Sequence, residues 1–73
     1  MYDHTIRKAH QIRRFTIVHA NPEGWEVRLE HDSQLIRSNR YTDWHRVERA
    51  RMMFARDAML LEEAGWTDYS TNR

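Results

Sequence analysis

The side chains that most often do chemistry in proteins are sparse in this sequence and lack the arrangement of a catalytic site. The chain has no cysteine, which excludes a thiol nucleophile, a disulfide and a thiolate metal site. It contains no glycine-rich phosphate loop and no nucleophile elbow. A domain of this size also has little room for a pocket of ordinary ligand volume. We therefore predict that the protein is not an enzyme.

The histidines show no recognised metal-ligand spacing. A structural zinc site usually needs four ligands, drawn mainly from histidine and cysteine. His19 falls on the inward face of a predicted strand, where a packed histidine with a local hydrogen bond is the simpler interpretation. The five histidines are His4, His10, His19, His31 and His45. The sequence predicts no metal and no cofactor.

Arginines on a predicted sheet suggest a nucleic-acid-binding module. Arg28 is expected directly opposite Arg37, and like charges so placed repel each other. Sheets that read DNA present arginines from an exposed face. Diagonal neutralisation by Glu26 and Glu30 is the alternative, and the net charge of +1 favours it. The candidate nucleic-acid contacts are Arg13, Arg14, Arg28 and Arg37.

An apolar flank on the predicted C-terminal helix is the leading candidate site. Met52, Ala55 and Met59 recur at i, i+3 and i+7 beside the main apolar stripe, and Met53 and Leu60 widen the arc. Methionine adapts to irregular surfaces and is common at interaction faces. Deeper burial of the helix is the alternative interpretation. We predict a self-associating interaction module, most simply a homodimer, which uses this flank, an exposed strand edge or both. The alternative to a second copy of the chain is a different protein partner.

Strands must position the arginines, and the sequence predicts three of them. Asn21-Pro22-Glu23-Gly24 fits a type I turn with a glycine bulge. Trp25–Glu30 alternates apolar and polar residues, as expected of a strand with one buried face. A three-residue loop at 22–24 places Val27 opposite His19 and Leu29 opposite Ile17. A second turn at 31–34 leads into a third strand, 35–41, with Ile36 opposite Leu29.

One long helix must position the methionines. Thr42 or Asp43 is the predicted N-cap, and Gly65 is placed just past the helix end. About 22 helical residues span roughly 33 Å, whereas a six-residue strand spans about 20 Å, so part of the helix overhangs its sheet. The apolar stripe is Val47, Ala50, Phe54, Ala58, Leu61 and Ala64. The fold class is α+β, in the order β-β-β-α: a three-stranded antiparallel meander over 12–41 packed on a helix over 42–65. Residues 1–11 are expected to form a flexible arm, or an extension of the first strand, and 66–73 a tail.

The stretch Gly24-Trp25-Glu26-Val27-Arg28, a polar turn and then Tyr41-Thr42-Asp43 before Val47-Glu48-Arg49-Ala50 resembles short bacterial proteins of unknown function. Those combine a Trp-x-Val strand, a hairpin and an alanine-rich helix. The resemblance covers about residues 24–65 and implies no activity. The outline is also similar to plant-type and integrase DNA-binding domains, which have three strands and one helix and are more basic.

The length of the chain bounds its stability. Seventy-three residues allow one domain, which buries only roughly 60% of its unfolded surface. Stability must therefore come from packing or oligomerisation. No apolar run reaches the length of a signal peptide or a membrane span, so the sequence predicts a cytoplasmic protein without membrane association.

Overall fold

The computed structural model describes residues 2–20 and 23–69, which form one antiparallel sheet and one helix. The elements are β1 (Tyr2–Lys8), β2 (Gln11–His19), β3 (Trp25–His31), β4 (Gln34–Tyr41), α1 (Trp44–Glu63) and β5 (Thr67–Asp68). The strand order is β4-β3-β2-β1-β5. The helix packs against one face of the sheet, and the other face is open.

The five-stranded sheet shows that the predicted three-stranded β-β-β-α fold is wrong. The segment expected to be a flexible arm is β1, which pairs with β2 from Tyr2↔Ile17 to Lys8↔Gln11. Its inward positions are Tyr2, His4 and Ile6, and Ile6 is fully buried. A histidine and a tyrosine on the buried face gave the segment a polar composition, which concealed its alternation. The tail contributes β5, whose two residues pair with Ile6 and Arg7.

The register between β2 and β3 differs from the predicted one by two residues. Val27 pairs with Ile17, and Leu29 pairs with Phe15. The connection is longer than predicted, because the last pair is His19↔Trp25 and the Ala20 N–H donates to the Gly24 carbonyl at 3.0 Å. A shift of two keeps every side chain on its original face. The predicted type I turn includes positions 21 and 22, which lie outside the described residues.

The turn between β3 and β4, and a bulge that follows it, determine which residue lies opposite Arg28. Asp32 and Ser33 both have positive φ, 52° and 70°, as a two-residue type I′ hairpin requires. A bulge beside Leu29 and Glu30 then shifts the ladder by one residue. Arg28 therefore lies opposite Ser38, and the predicted Arg28–Arg37 pair is wrong. Leu29 pairs with Arg37, and Ile36, expected opposite Leu29, is 58% exposed.

Both predicted helix ends are confirmed. Asp43 is the N-cap, and its Oδ1 accepts from the His45 backbone N–H at 3.0 Å. At the other end, Gly65 has φ +107°. The Trp66 N–H donates to the Leu61 carbonyl and the Gly65 N–H to the Glu62 carbonyl, which is the Schellman pattern of a glycine-terminated helix.

The core lies between α1 and the three middle strands. Phe15 and Phe54 meet with ring centroids 4.9 Å apart. The predicted helix stripe is confirmed from Val47 to Leu61, because Val47, Phe54 and Ala58 are buried and Ala50 and Leu61 are partly buried, whereas Ala64 is exposed. Trp44, at the start of α1, is 48% exposed and packs on Trp25, with the ring centroids 5.0 Å apart. The buried cluster is Ile6, Phe15, Ile17, Val27, Val47, Phe54 and Ala58.

Candidate functional site

The apolar flank of α1 remains open to solvent. Met52, Ala55 and Met59 are all exposed, Met52 by 64%. Met53 and Leu60 are also more than half exposed. Large exposed apolar side chains concentrated on one helix are typical of an interaction site. We call these five residues the apolar helix face.

Charge is distributed unevenly along the same helix. Residues 44–53 carry three arginines and one glutamate, whereas residues 54–63 carry one arginine and three acids. The first turn has no acidic residue and the last turn no basic one. An isolated helix is stabilised by the opposite arrangement, because its N-terminus carries partial positive charge and its C-terminus partial negative charge. The Lys8 ammonium donates to the Ala64 carbonyl at 2.9 Å and offsets part of the excess negative charge at the C-terminal end of the helix.

On the open sheet face, two of the candidate arginines contact acids of their own chain. Arg14 forms two hydrogen bonds to the carboxylate of Asp3, at 3.1 and 2.8 Å. These hydrogen bonds lower the pKa of Asp3. Arg28 lies 3.7 Å from both Glu26 and Glu30. Glu26 and Glu30 therefore neutralise Arg28 as the sequence suggested, but they do so along the same strand, β3, and not diagonally between strands.

The other two candidate arginines lie on the helix side of the sheet. Arg13 donates to His31 Nδ1 at 3.1 Å, and its guanidinium sits 5.6 Å from the centroid of the Trp66 ring. Arg37 lines a shallow groove between β4 and α1 together with Met53 and Asp57. The four arginines are thus divided between two faces, and no single arginine platform joins them.

A cluster that sequence reasoning missed lies where β1, α1 and β5 meet. His4 Nε2 is 3.9 Å from Glu62 Oε2 and 3.5 Å from Asp68 Oδ1. The ligand-type atoms of these three residues all lie within 4.8 Å of one another. His4 is about sixty positions from Glu62 and Asp68 in sequence, so no local spacing could reveal the cluster. The cluster becomes visible only when β1 pairs with β5, and the sequence predicted neither of these strands.

The neighbourhood of this cluster is partly apolar. The Tyr2 ring lies 6.2 Å from the His4 ring and stacks on Phe54 at 6.1 Å. Burial raises the pKa of the Tyr2 hydroxyl. The His4 side chain is a quarter exposed, whereas its Nε2 atom is buried and makes no hydrogen bond. The cluster therefore opens to solvent on the side of its two carboxylates.

Comparison of the chain with family models, with characterised proteins and with solved structures gave no match. The resemblance to short bacterial strand-and-helix proteins therefore stays a prediction. Within residues 2–20 and 23–69, no helix combines the length and apolar character needed to cross a membrane.

Proposed function

We propose that the protein is a self-associating module that dimerises through the apolar helix face, with the two copies of α1 antiparallel. The observation that carries the proposal is the reversed charge distribution of α1 beside its exposed methionines. In an antiparallel pair, the arginine-rich half of each helix lies along the acid-rich half of the other. A two-fold axis makes this complementarity mutual.

The electrostatic argument selects a second copy over an unrelated partner. Each helix alone has acids near its negative end and arginines near its positive end, which is unfavourable. An antiparallel copy brings opposite side-chain charges and an opposed helix dipole to both ends. Complementary potentials of this kind determine orientation and disfavour the parallel alternative. Met52 and Met59 would supply the desolvated contacts of the apolar helix face.

The other surface available for self-association is the edge of β4. This edge is exposed along seven of its eight residues, but it carries Arg37 and Arg40, and charged side chains on an edge strand oppose edge-to-edge pairing. Leu35 and Ile36 are the exposed apolar side chains of this strand, against four large ones on the apolar helix face. The helix therefore supplies the larger apolar area, and we place the interface on it.

A charge-swap experiment tests the proposal. Sedimentation equilibrium at high micromolar concentration should give twice the 9.0 kDa chain mass. Arg49→Glu or Glu63→Arg alone should weaken the dimer roughly tenfold or more, because each places like charges along the interface. The double variant should recover most of the lost affinity. A monomer mass for the unmodified chain at that concentration would refute self-association.

Matched apolar substitutions locate the interface. Met52→Gln should weaken the dimer, whereas Leu35→Gln, an equally conservative change at an exposed apolar side chain on β4, should leave it unchanged. The reverse result would place the interface on the β4 edge.

The nucleic-acid hypothesis stays a prediction with a weaker basis. Arg14 and Arg28 already contact acids of the chain, and Arg13 and Arg37 lie on the other face. Phosphate contacts make affinity fall steeply with added salt. If no mixed-sequence DNA or RNA binds at low salt, this hypothesis should be abandoned.

A further inference from the structure

We propose that His4, Glu62 and Asp68 form a binding site for a divalent transition metal ion of the Zn²⁺ class, which would join β1, α1 and β5. This site is separate from the apolar helix face and does not depend on dimerisation. One imidazole and two carboxylates are ordinary zinc ligands. Three protein ligands leave a fourth coordination position for water.

The distances within the cluster suit a coordinated ion better than direct hydrogen bonds. The His4 Nε2 atom is buried and has no hydrogen-bond partner, and such an atom is costly unless something satisfies it. Its separations from the carboxylate oxygens of Asp68 and Glu62, 3.5 and 3.9 Å, exceed ordinary hydrogen-bond lengths. Two ligand atoms held tetrahedrally at zinc bond lengths are about 3.3–3.4 Å apart. Small side-chain movements would therefore bring these groups into coordination.

Charge also favours a cation at this position. Glu62 and Asp68 bring two carboxylate oxygens within 4.8 Å of each other, and like charges at this distance repel. Glu62 lies in the last turn of α1, where the helix end is negative and no basic residue follows within the turn. A divalent ion with a neutral His4 and two carboxylates has no net charge.

The site would stabilise the part of the fold with the least pairing. β5 has only two residues, and they pair with β1 alone. Small domains commonly use metal ions in this way when the core is limited and no disulfide is available. Metal coordination would hold the C-terminal segment against β1 and the end of α1.

Metal titration of the full chain tests the site. After removal of metals with a chelator, isothermal titration with zinc chloride should show one ion per chain, and Co²⁺ should give the visible absorption of a low-symmetry site. Asp68→Asn and His4→Gln should each weaken binding by at least about tenfold, because loss of a direct ligand should exceed the effect of losing an outer-shell partner. The control His45→Gln removes a histidine at the opposite end of α1 and should bind as the unmodified chain does.

A second measurement guards against variants that fail to fold. In the unmodified chain, Zn²⁺ should shift the amide resonances around His4, Glu62 and Asp68 and raise the unfolding temperature. Asp68 is exposed, so Asp68→Asn should keep the circular dichroism of the unmodified chain and lose the zinc-dependent rise. If the unmodified chain binds no zinc, or if His45→Gln loses binding while Asp68→Asn keeps it, the proposed site is wrong.

Discussion

At the residue scale, the two glycines of the chain tolerate side chains differently although both have positive φ. Gly24 has φ +111° and Gly65 has φ +107°. A Cβ at Gly24 would lie 2.7 Å from the backbone oxygen of Tyr41, which cannot move without disturbing β4. A Cβ at Gly65 would meet only the flexible end of Lys8 at 3.5 Å. Backbone strain applies at both positions, and a steric clash applies only at Gly24.

These surroundings predict that alanine destabilises the protein more at Gly24 than at Gly65. Gly65→Ala should lower the free energy of unfolding by about 1 kcal/mol, the cost of a left-handed conformation for a residue with a Cβ. Gly24→Ala should cost clearly more, because strain and clash add. Urea unfolding of both variants at one protein concentration gives the comparison. Equal losses would mean that β4 moves away from Gly24 at no cost.

The histidines illustrate how far residue-level reasoning extends. His19 was expected to be packed on the inner face, but it lies at the exposed end of β2, where its ring meets Trp25 edge-on at 5.9 Å. His4, in a segment expected to be an arm, supplies the buried nitrogen of the three-residue cluster. The sequence therefore predicted the wrong one of these two histidines to be buried, because the burial of a side chain depends on which strands flank its own.

At the element scale, local signals were sufficient where one residue type determines the geometry. Asp43 and Gly65 marked the ends of α1, and the alternation of residues 25–30 marked β3. The same reasoning failed at β1 and β5, whose pairing is determined by partners distant in sequence. It also failed at the bulge in β4, which exposes Ile36 and moves Arg37 to the helix side. Arg37 was therefore assigned to the wrong face.

Ile6 and Ile36 distinguish the observed sheet from the predicted one. In the three-stranded arrangement, Ile6 belongs to a free arm and Ile36 contacts the helix, whereas in the structure Ile6 is fully buried and Ile36 is 58% exposed. Ile6→Ala should therefore lower the free energy of unfolding by about 2–5 kcal/mol. Ile36→Ala should stay within about 0.5 kcal/mol of the unmodified chain.

Chemical denaturation of these two alanine variants provides the measurement. Because a domain this small is marginally stable, Ile6→Ala could leave too little folded protein for a transition to be fitted, and Ile6→Val should then show a smaller loss of the same sign. A larger loss for Ile36→Ala than for Ile6→Ala would contradict the arrangement of β1 in the sheet.

At the scale of the whole molecule, the two faces of the sheet are stabilised by different interactions. The inner face and α1 enclose the apolar cluster around Phe15 and Phe54. No layer formed by residues 2–20 or 23–69 covers the outer face, and ion pairs such as Asp3–Arg14 connect its strands. Exposed ion pairs contribute little to stability. The domain therefore depends on one thin core, while the exposed face of its only described helix carries four large apolar side chains.

This dependence couples folding to association if the proposed dimer forms. A partner that binds only the folded state stabilises that state by mass action. Raising the concentration about 100-fold across the dissociation constant should add on the order of 1–2 kcal/mol per chain. For a domain of this size, that energy should raise the unfolding temperature by several degrees.

Thermal unfolding across a concentration series measures this coupling, with the charge variants as controls. The unfolding temperature of the unmodified chain should rise with concentration, and that of Glu63→Arg should rise clearly less, because its weakened dimer is populated only at the highest concentrations. The Arg49→Glu, Glu63→Arg double variant should regain the concentration dependence, since it restores opposite charges between the two helices. A concentration dependence retained undiminished in Glu63→Arg would mean that the copies associate through a surface other than α1. A flat profile for the unmodified chain would mean that the thin core is sufficient and that the exposed methionines do not serve self-association.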